Sequence, residues 1–142
     1  MINASGIATV LFGDDFESRS VRTLDDLRSR ISKGLPKRVL KNTVSHVADR
    51  SGQQDLIYQI VPRGTLSRRD TLTPEESERV ERLARVIATA EHVLGDELQT
   101  RRFMTSAHPL LGGKTPLELS YSELGARQVE ELLWRIFYGV TE

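Results

Sequence analysis

The sequence predicts an all-α chain, and three observations carry that prediction. Apolar residues recur three and four positions apart along most of the 142 residues. Segment after segment opens on a hydroxyl or acidic residue and closes on glycine, the usual helix punctuation. Beyond residue 12 no stretch alternates apolar and polar side chains as a half-buried strand does.

Residues 1–20 offer one apolar patch, Ile7 to Phe12, followed by Gly13-Asp14-Asp15; a short strand or an ordered tail fits it equally. Thr23 then caps a helix with Asp25 and Asp26 in its first turn, where the helix dipole favours acids. Leu24, Leu27 and Ile31 form its apolar stripe, and Gly34 stops it. Pro36 is placed for the first turn of the next helix. Val39, Leu40, Thr43, Val44 and Val47 line that helix, which is expected to end near Ser51-Gly52.

A short helix over 53–60 follows, with Leu56, Ile57 and Ile60 inward. Val61-Pro62-Arg63-Gly64 reads as a tight break, and residues 65–70 as a second short helix anchored by Leu66. Thr73-Pro74-Glu75-Glu76 is a strong helix start: cap, proline at the first position, and Glu76 three residues after the cap. The helix it opens, with Val80, Leu83, Ala84, Ile87, Ala90 and Leu94 as its stripe, ends at Gly95. At ~1.5 Å per residue it is roughly 30 Å long, enough to join two small subdomains. A helix over 96–105 carries Leu98, Phe103 and Met104. The glycine-rich stretch 108–116 is a loop, with a helical turn over 116–119 behind it, and Ser122 caps a last helix that stops at Gly139. The expected division is an N-terminal segment 1–20, a helical half 21–72 and a second helical half 73–142.

Composition narrows the class. A hydrophobic fraction of 38% with only 6% aromatics implies a core of Leu, Ile, Val and Ala. The absence of Cys excludes a disulfide scaffold, a thiolate zinc site and a Cys nucleophile. No apolar run is long enough to span a membrane, and the N-terminus lacks the basic start of a secretory signal. A cytoplasmic protein is expected. The zero net charge hides blocks of opposite sign. Residues 33–70 carry Lys33, Lys37, Arg38, Lys41, Arg50, Arg63, Arg68 and Arg69 against Asp49, Asp55 and Asp70, whereas 71–142 has an acidic excess. Such blocks suit two surfaces with different partners. The basic block suits phosphates, through counterion release, although a solvated helical surface has the same composition.

Catalytic and metal chemistry find no support. Gly112-Gly113-Lys114-Thr115 resembles a phosphate loop, but His108 stands where the first Walker glycine belongs and no strand precedes it. His46, His92 and His108 form no ligand pair. No nucleophile elbow supports a serine triad. No catalytic residue, metal ligand or cofactor is therefore assigned.

Two stretches point instead to binding. The helices at 53–60 and 65–70, joined by a glycine-containing turn, match helix-turn-helix spacing. In that geometry the second helix enters the major groove, which makes Arg63, Thr65, Ser67, Arg68 and Arg69 the candidate DNA contacts, with Gln53 and Gln54 on the backbone. A plain helical hairpin with solvated arginines is the competing reading. On the last helix, Ala126, Val129, Leu132, Leu133, Ile136, Phe137 and Val140 share a face. Trp134 and Tyr138 fall ~120–160° from its centre, beside Arg127, Glu130 and Glu131. They either anchor a protein interface or pack beneath the 108–116 loop. Gly139-Val140-Thr141-Glu142 reads as a short acid-tipped peg for a partner's pocket.

The C-terminal pattern resembles a known family. It consists of Gly95-Asp96-Glu97, then 107–119 (Ala-His-Pro-Leu-Leu-Gly-Gly-Lys-Thr-Pro-Leu-Glu-Leu), then Gly125-Ala126-Arg127-Gln128-Val129-Glu130-Glu131-Leu132-Leu133, and finally Tyr138-Gly139-Val140. These are similar to the toxin-binding domain of Xre/ParS-type antitoxins, the partners of RES-domain toxins in type II toxin–antitoxin pairs. Gly34-Leu35-Pro36 and the run 72–79 resemble the upstream half of such proteins. One departure stands out: Pro62-Arg63-Gly64 puts proline and glycine beside the recognition helix. The resemblance implies an Xre-like helix-turn-helix subdomain joined by a long helix to a small toxin-binding subdomain. It implies a RES-domain, NAD-depleting toxin as partner, its active-site entrance covered by the C-terminal domain. It also implies operator DNA as a second partner and a homodimer within the complex. Arg127, Glu130, Glu131, Trp134, Tyr138, Gly139, Val140, Thr141 and Glu142 are the expected toxin contacts. The other functional reading is a stand-alone helix-turn-helix regulator whose C-terminal domain dimerises.

Overall fold

The computed structural model describes residues 2–139, Thr65 by its backbone alone, and the described residues are helical without a strand. The helices are α1 (Ala4–Phe12), α2 (Phe16–Ser20), α3 (Leu24–Lys33), α4 (Arg38–Val44), α5 (Arg50–Ile60), α6 (Arg63–Leu66), α7 (Pro74–Leu94), α8 (Glu97–Thr105), α9 (Pro116–Leu119) and α10 (Glu123–Phe137). A single 3₁₀ turn, Pro109–Leu111, lies in the glycine-rich loop.

The cap signals are realised. Thr23 and Thr73 each accept from a backbone N–H three residues on, and Asp26 and Glu76 bond back to the cap N–H. Gly34 and Gly95 close α3 and α7 with φ of +89° and +87°. Gly34 is required rather than merely preferred: a Cβ there would strike the carbonyl oxygen of Leu72.

Helix α7 is the axis of the molecule. Val80, Leu83, Ala84, Val86, Ile87, Ala88 and Ala90 are all buried, so it is covered almost all round. Helices α1, α3, α4 and α5 pack on it from one half of the chain, and α8 and α10 from the other. The N-terminal residues are neither strand nor tail. Asn3 accepts from the Gly6 N–H at 2.9 Å and starts α1, whose Ala4, Ile7, Ala8, Val10, Leu11 and Phe12 enter the core. Six apolar residues among nine obscured the period in sequence, because a helix buried on most sides shows no clean stripe. Asp15 caps α2 through a box with Ser18. Arg30 and Arg38 grip Glu17 and lie over the Phe12 ring, at 4.8 and 5.5 Å from its centroid.

Other expectations are corrected in the same half. Pro36 is not in a helical first turn; it forms an antiparallel bridge with Thr71. The Leu72 N–H donates to the Leu35 carbonyl at 2.8 Å and the Lys37 N–H to the Asp70 carbonyl at 3.0 Å. Helix α4 ends at Val44, well before Gly52, because Asp49 caps a new helix through the Gly52 N–H. The helix expected over 65–70 is shorter and starts earlier. The second helix begins at Arg63 and makes one turn only. Gly64 weakens it by ~1 kcal/mol, and residues 70–72 must be extended to complete the bridge with 35–37. Leu24, expected in the apolar stripe of α3, is exposed, as is Leu98 of α8.

Candidate interaction surfaces

The last helix presents the first surface. Ser122 caps α10, and Gly125 sits so close to α9 that a Cβ would collide with the Leu119 carbonyl oxygen. Ala126, Val129, Leu132 and Leu133 bury α10 against α7 as expected. Ile136 and Phe137 do not follow them; they are 43% and 47% exposed. They form the last turn of α10, where Phe137 meets α7 at His92. Phe137 instead joins Trp134, Tyr138 and His92 in a chain of ring contacts with centroids 5.1–6.2 Å apart. Tyr138 is 71% exposed. Trp134 is half-buried against these rings, while Leu110 and Leu111 of the glycine-rich loop stand beside Gln128, Glu131, Leu132 and Arg135.

Trp134 and Tyr138 also wall a cleft of about 750 Å³ between α1, α3, α7 and α10. Its apolar side is Ile2, Ile7 and Leu24; its charged floor is Glu81, Arg85, Glu123, Arg127 and Glu130. The Arg85 guanidinium is the hub, 3.2 Å from Glu130, 3.4 Å from Glu123 and 3.6 Å from Glu81. Burial pushes the carboxyls of Glu81 and Glu130 up, against the pull of Arg85. Burial also works against Glu123, but Arg85 and Arg82 outweigh it and hold that carboxyl below its usual range. The expected contacts Arg127, Glu130, Glu131, Trp134 and Tyr138 thus share one cleft wall. Gly139 follows α10 with φ +74°; Val140, Thr141 and Glu142 lie outside the described residues. Glu81, Arg85 and Glu123 are the cleft-floor residues that sequence reading missed, and the signal for the first two was their i, i+4 spacing.

The second surface lies around α5 and α6. The link Val61-Pro62 gives helix, tight turn and helix in that order, but the second helix is a single turn. The seven expected DNA contacts do not form one row. Arg69 is ion-paired with buried Glu76 at 2.9 Å, which ties it to the start of α7. Gln53 donates to the Ala48 carbonyl at 3.1 Å. Arg68 is exposed, and Arg63 is exposed with its guanidinium 4.9 Å from the Tyr58 ring centre. Arg63, Gln54 and Ser67 meet Lys37 and Lys41 around a shallow hollow. Among the described residues there is no His/Asp/Glu cluster fit for a metal ion.

Comparison with known proteins gives these surfaces a family. Residues 89–139 match the antitoxin Xre/MbcA/ParS C-terminal toxin-binding domain, and residues 26–85 match the antitoxin Xre-like helix-turn-helix domain. The chain belongs to the Xre/MbcA/ParS antitoxin family. Antitoxin Xre of Pseudomonas putida is 35% identical over 85 residues, covering 57% of this chain and 54% of the relative. Antitoxin Xre of Yersinia enterocolitica is 36% identical over 85 residues, covering 56% of this chain and 57% of the relative. The chain thus spans little more than half the length of the curated relatives it matches. In this member of the Xre/MbcA/ParS family, the aromatic end of α10 falls in the toxin-binding match, and most of α3 with α4 to α6 falls in the helix-turn-helix match. No described helix is long and apolar enough to cross a membrane.

Proposed function

We propose that the chain is the neutralising half of a type II pair, that its target is a RES-domain toxin that degrades NAD, and that it covers that toxin's active-site entrance. The observation that carries this reading is the exposed aromatic end of α10, inside the stretch that matches a toxin-binding domain. Aromatic and Arg side chains around a partly desolvated centre are the usual anchors of a protein interface. Trp134 and Tyr138 are the anchors in this reading, Arg127, Glu130 and Glu131 the polar rim, and 139–142 the segment that enters the toxin's pocket. The helix-turn-helix half represses the chain's own operon as a homodimer, using Arg63, Thr65, Ser67, Arg68 and Gln54. Arg69 and Gln53 serve it indirectly, by fixing the frame.

Co-expression with the product of the neighbouring gene, followed by pull-down and an assay of cellular NAD, tests the reading. A stable complex and restored cellular NAD support it. Deletion of residues 138–142 is expected to release toxicity. No complex and no rescue would leave the chain as a stand-alone regulator.

A further inference from the structure

The hollow between α4, α5 and α6 holds more cationic charge than the helix-turn-helix reading uses. It measures about 330 Å³ and has an apolar floor of Leu40, Ile57 and Leu66. Lys37, Lys41 and Arg63 stand around it, with the neutral donors Gln54, Tyr58 and Ser67 between them. Several arginines elsewhere in this chain of zero net charge are matched to carboxylates. Arg30 and Arg38 meet Glu17, Arg69 meets Glu76, and Arg82 and Arg85 meet Glu123. Among the described residues no ion pair joins a carboxylate to Lys37, Lys41 or Arg63. Three like charges around one concavity repel each other, and an anion placed among them removes that cost.

We infer that this hollow is a phosphate pocket that takes a backbone phosphate of duplex DNA, with Lys37, Lys41 and Arg63 as its cations. The inference rests on the DNA-binding reading above and deepens it. A recognition helix of one turn offers few side chains to base edges, so backbone contacts carry most of the affinity. Ser67 and Gln54 supply the neutral hydrogen bonds that such contacts use. Tyr58 holds Arg63 at the rim by its ring face, which orients the guanidinium without neutralising it. Lys37 and Lys41 therefore position the protein on the duplex and do not choose its sequence.

The test is duplex binding over a range of salt by the wild type, Lys37→Gln/Lys41→Gln and, as a distant control, Arg102→Gln. The double variant is expected to lose about tenfold in affinity for operator and unrelated duplexes alike. Its slope of log K against log salt should shrink by about 1–2, at ~0.9 per phosphate contact. The control should match the wild type. Lys41→Gln alone, at an exposed position, keeps the test open if the double variant folds poorly. An unchanged slope overturns the pocket and leaves DNA binding to the other residues. Failure of the wild type to bind any duplex overturns both the DNA reading and this occupant. Signals of Lys41 that then saturate with inorganic phosphate would assign the hollow to free phosphate.

Discussion

The imidazole Nδ1 of His46, just beyond α4, lies 2.7 Å from the Glu91 carboxylate near the end of α7. This contact ties the helix-turn-helix match to the start of the toxin-binding match. The hydrogen bond to Glu91 raises the His46 pKa above its ordinary value, against the effect of burial. A raised folded-state pKa adds stability fully present below the unfolded value of ~6.5 and lost as pH climbs through the folded one. The melting temperature is therefore expected to fall between about pH 6 and pH 8. His46→Gln should flatten that slope. The effect is on the order of 1 kcal/mol or less, since both side chains keep about a quarter of their surface in solvent. Differential scanning calorimetry across that window reads it directly.

Arg85 meets all three carboxylates of the cleft floor, Glu81, Glu123 and Glu130. Arg85→Ala strands Glu81 and Glu130, whose carboxyls are already pushed up by burial. A loss of about 2 kcal/mol is expected at pH 7, short of the full cost of a broken buried pair because Arg85 is partly solvated. The loss should shrink as pH falls toward 5, where the raised carboxyls take up protons. Urea unfolding at the two pH values checks both size and sign.

Helix α1 is structural. Ile7→Ala removes a side chain that is 2% exposed at the α1 contact with α7. It should cost about 3 kcal/mol by transfer and cavity terms. A shift of less than ~1 kcal/mol in urea unfolding would mean that α1 is not docked.

Two helix-ending glycines with nearly equal φ should behave differently. Gly34→Ala forces a Cβ onto the Leu72 carbonyl and should cost at least ~2 kcal/mol. Gly95→Asn meets open space in a left-handed conformation that Asn tolerates, so its effect should stay under ~1 kcal/mol.

How far the sequence foretold this molecule depends on where the information is local. Thr73-Pro74-Glu75-Glu76, Gly95 and Ser122 each act within one turn, so α7 and α10 were legible with their ends. Pro36 was misread because its partner, Thr71, is 35 residues away. Arg69 pairs with Glu76 at the start of α7, a contact that no local signal announces. Ile136 and Phe137 keep the helical period of the core but stay exposed, and periodicity does not report how much of a face its neighbours cover. Lys37 and Lys41 were visible only as charge in a block; their meeting with Arg63 is tertiary.

Tyr138→Ala asks the central question with least structural disturbance, because the ring is 71% exposed at the end of α10. Stability should change by no more than ~0.5 kcal/mol. Calorimetric titration of the RES-domain toxin with the wild type and with Tyr138→Ala is the most direct measurement. The account predicts tight binding by the wild type and at least a tenfold weaker Kd for the variant, as for an interface anchor. Equal affinities for the two proteins, or no binding by either, would contradict it.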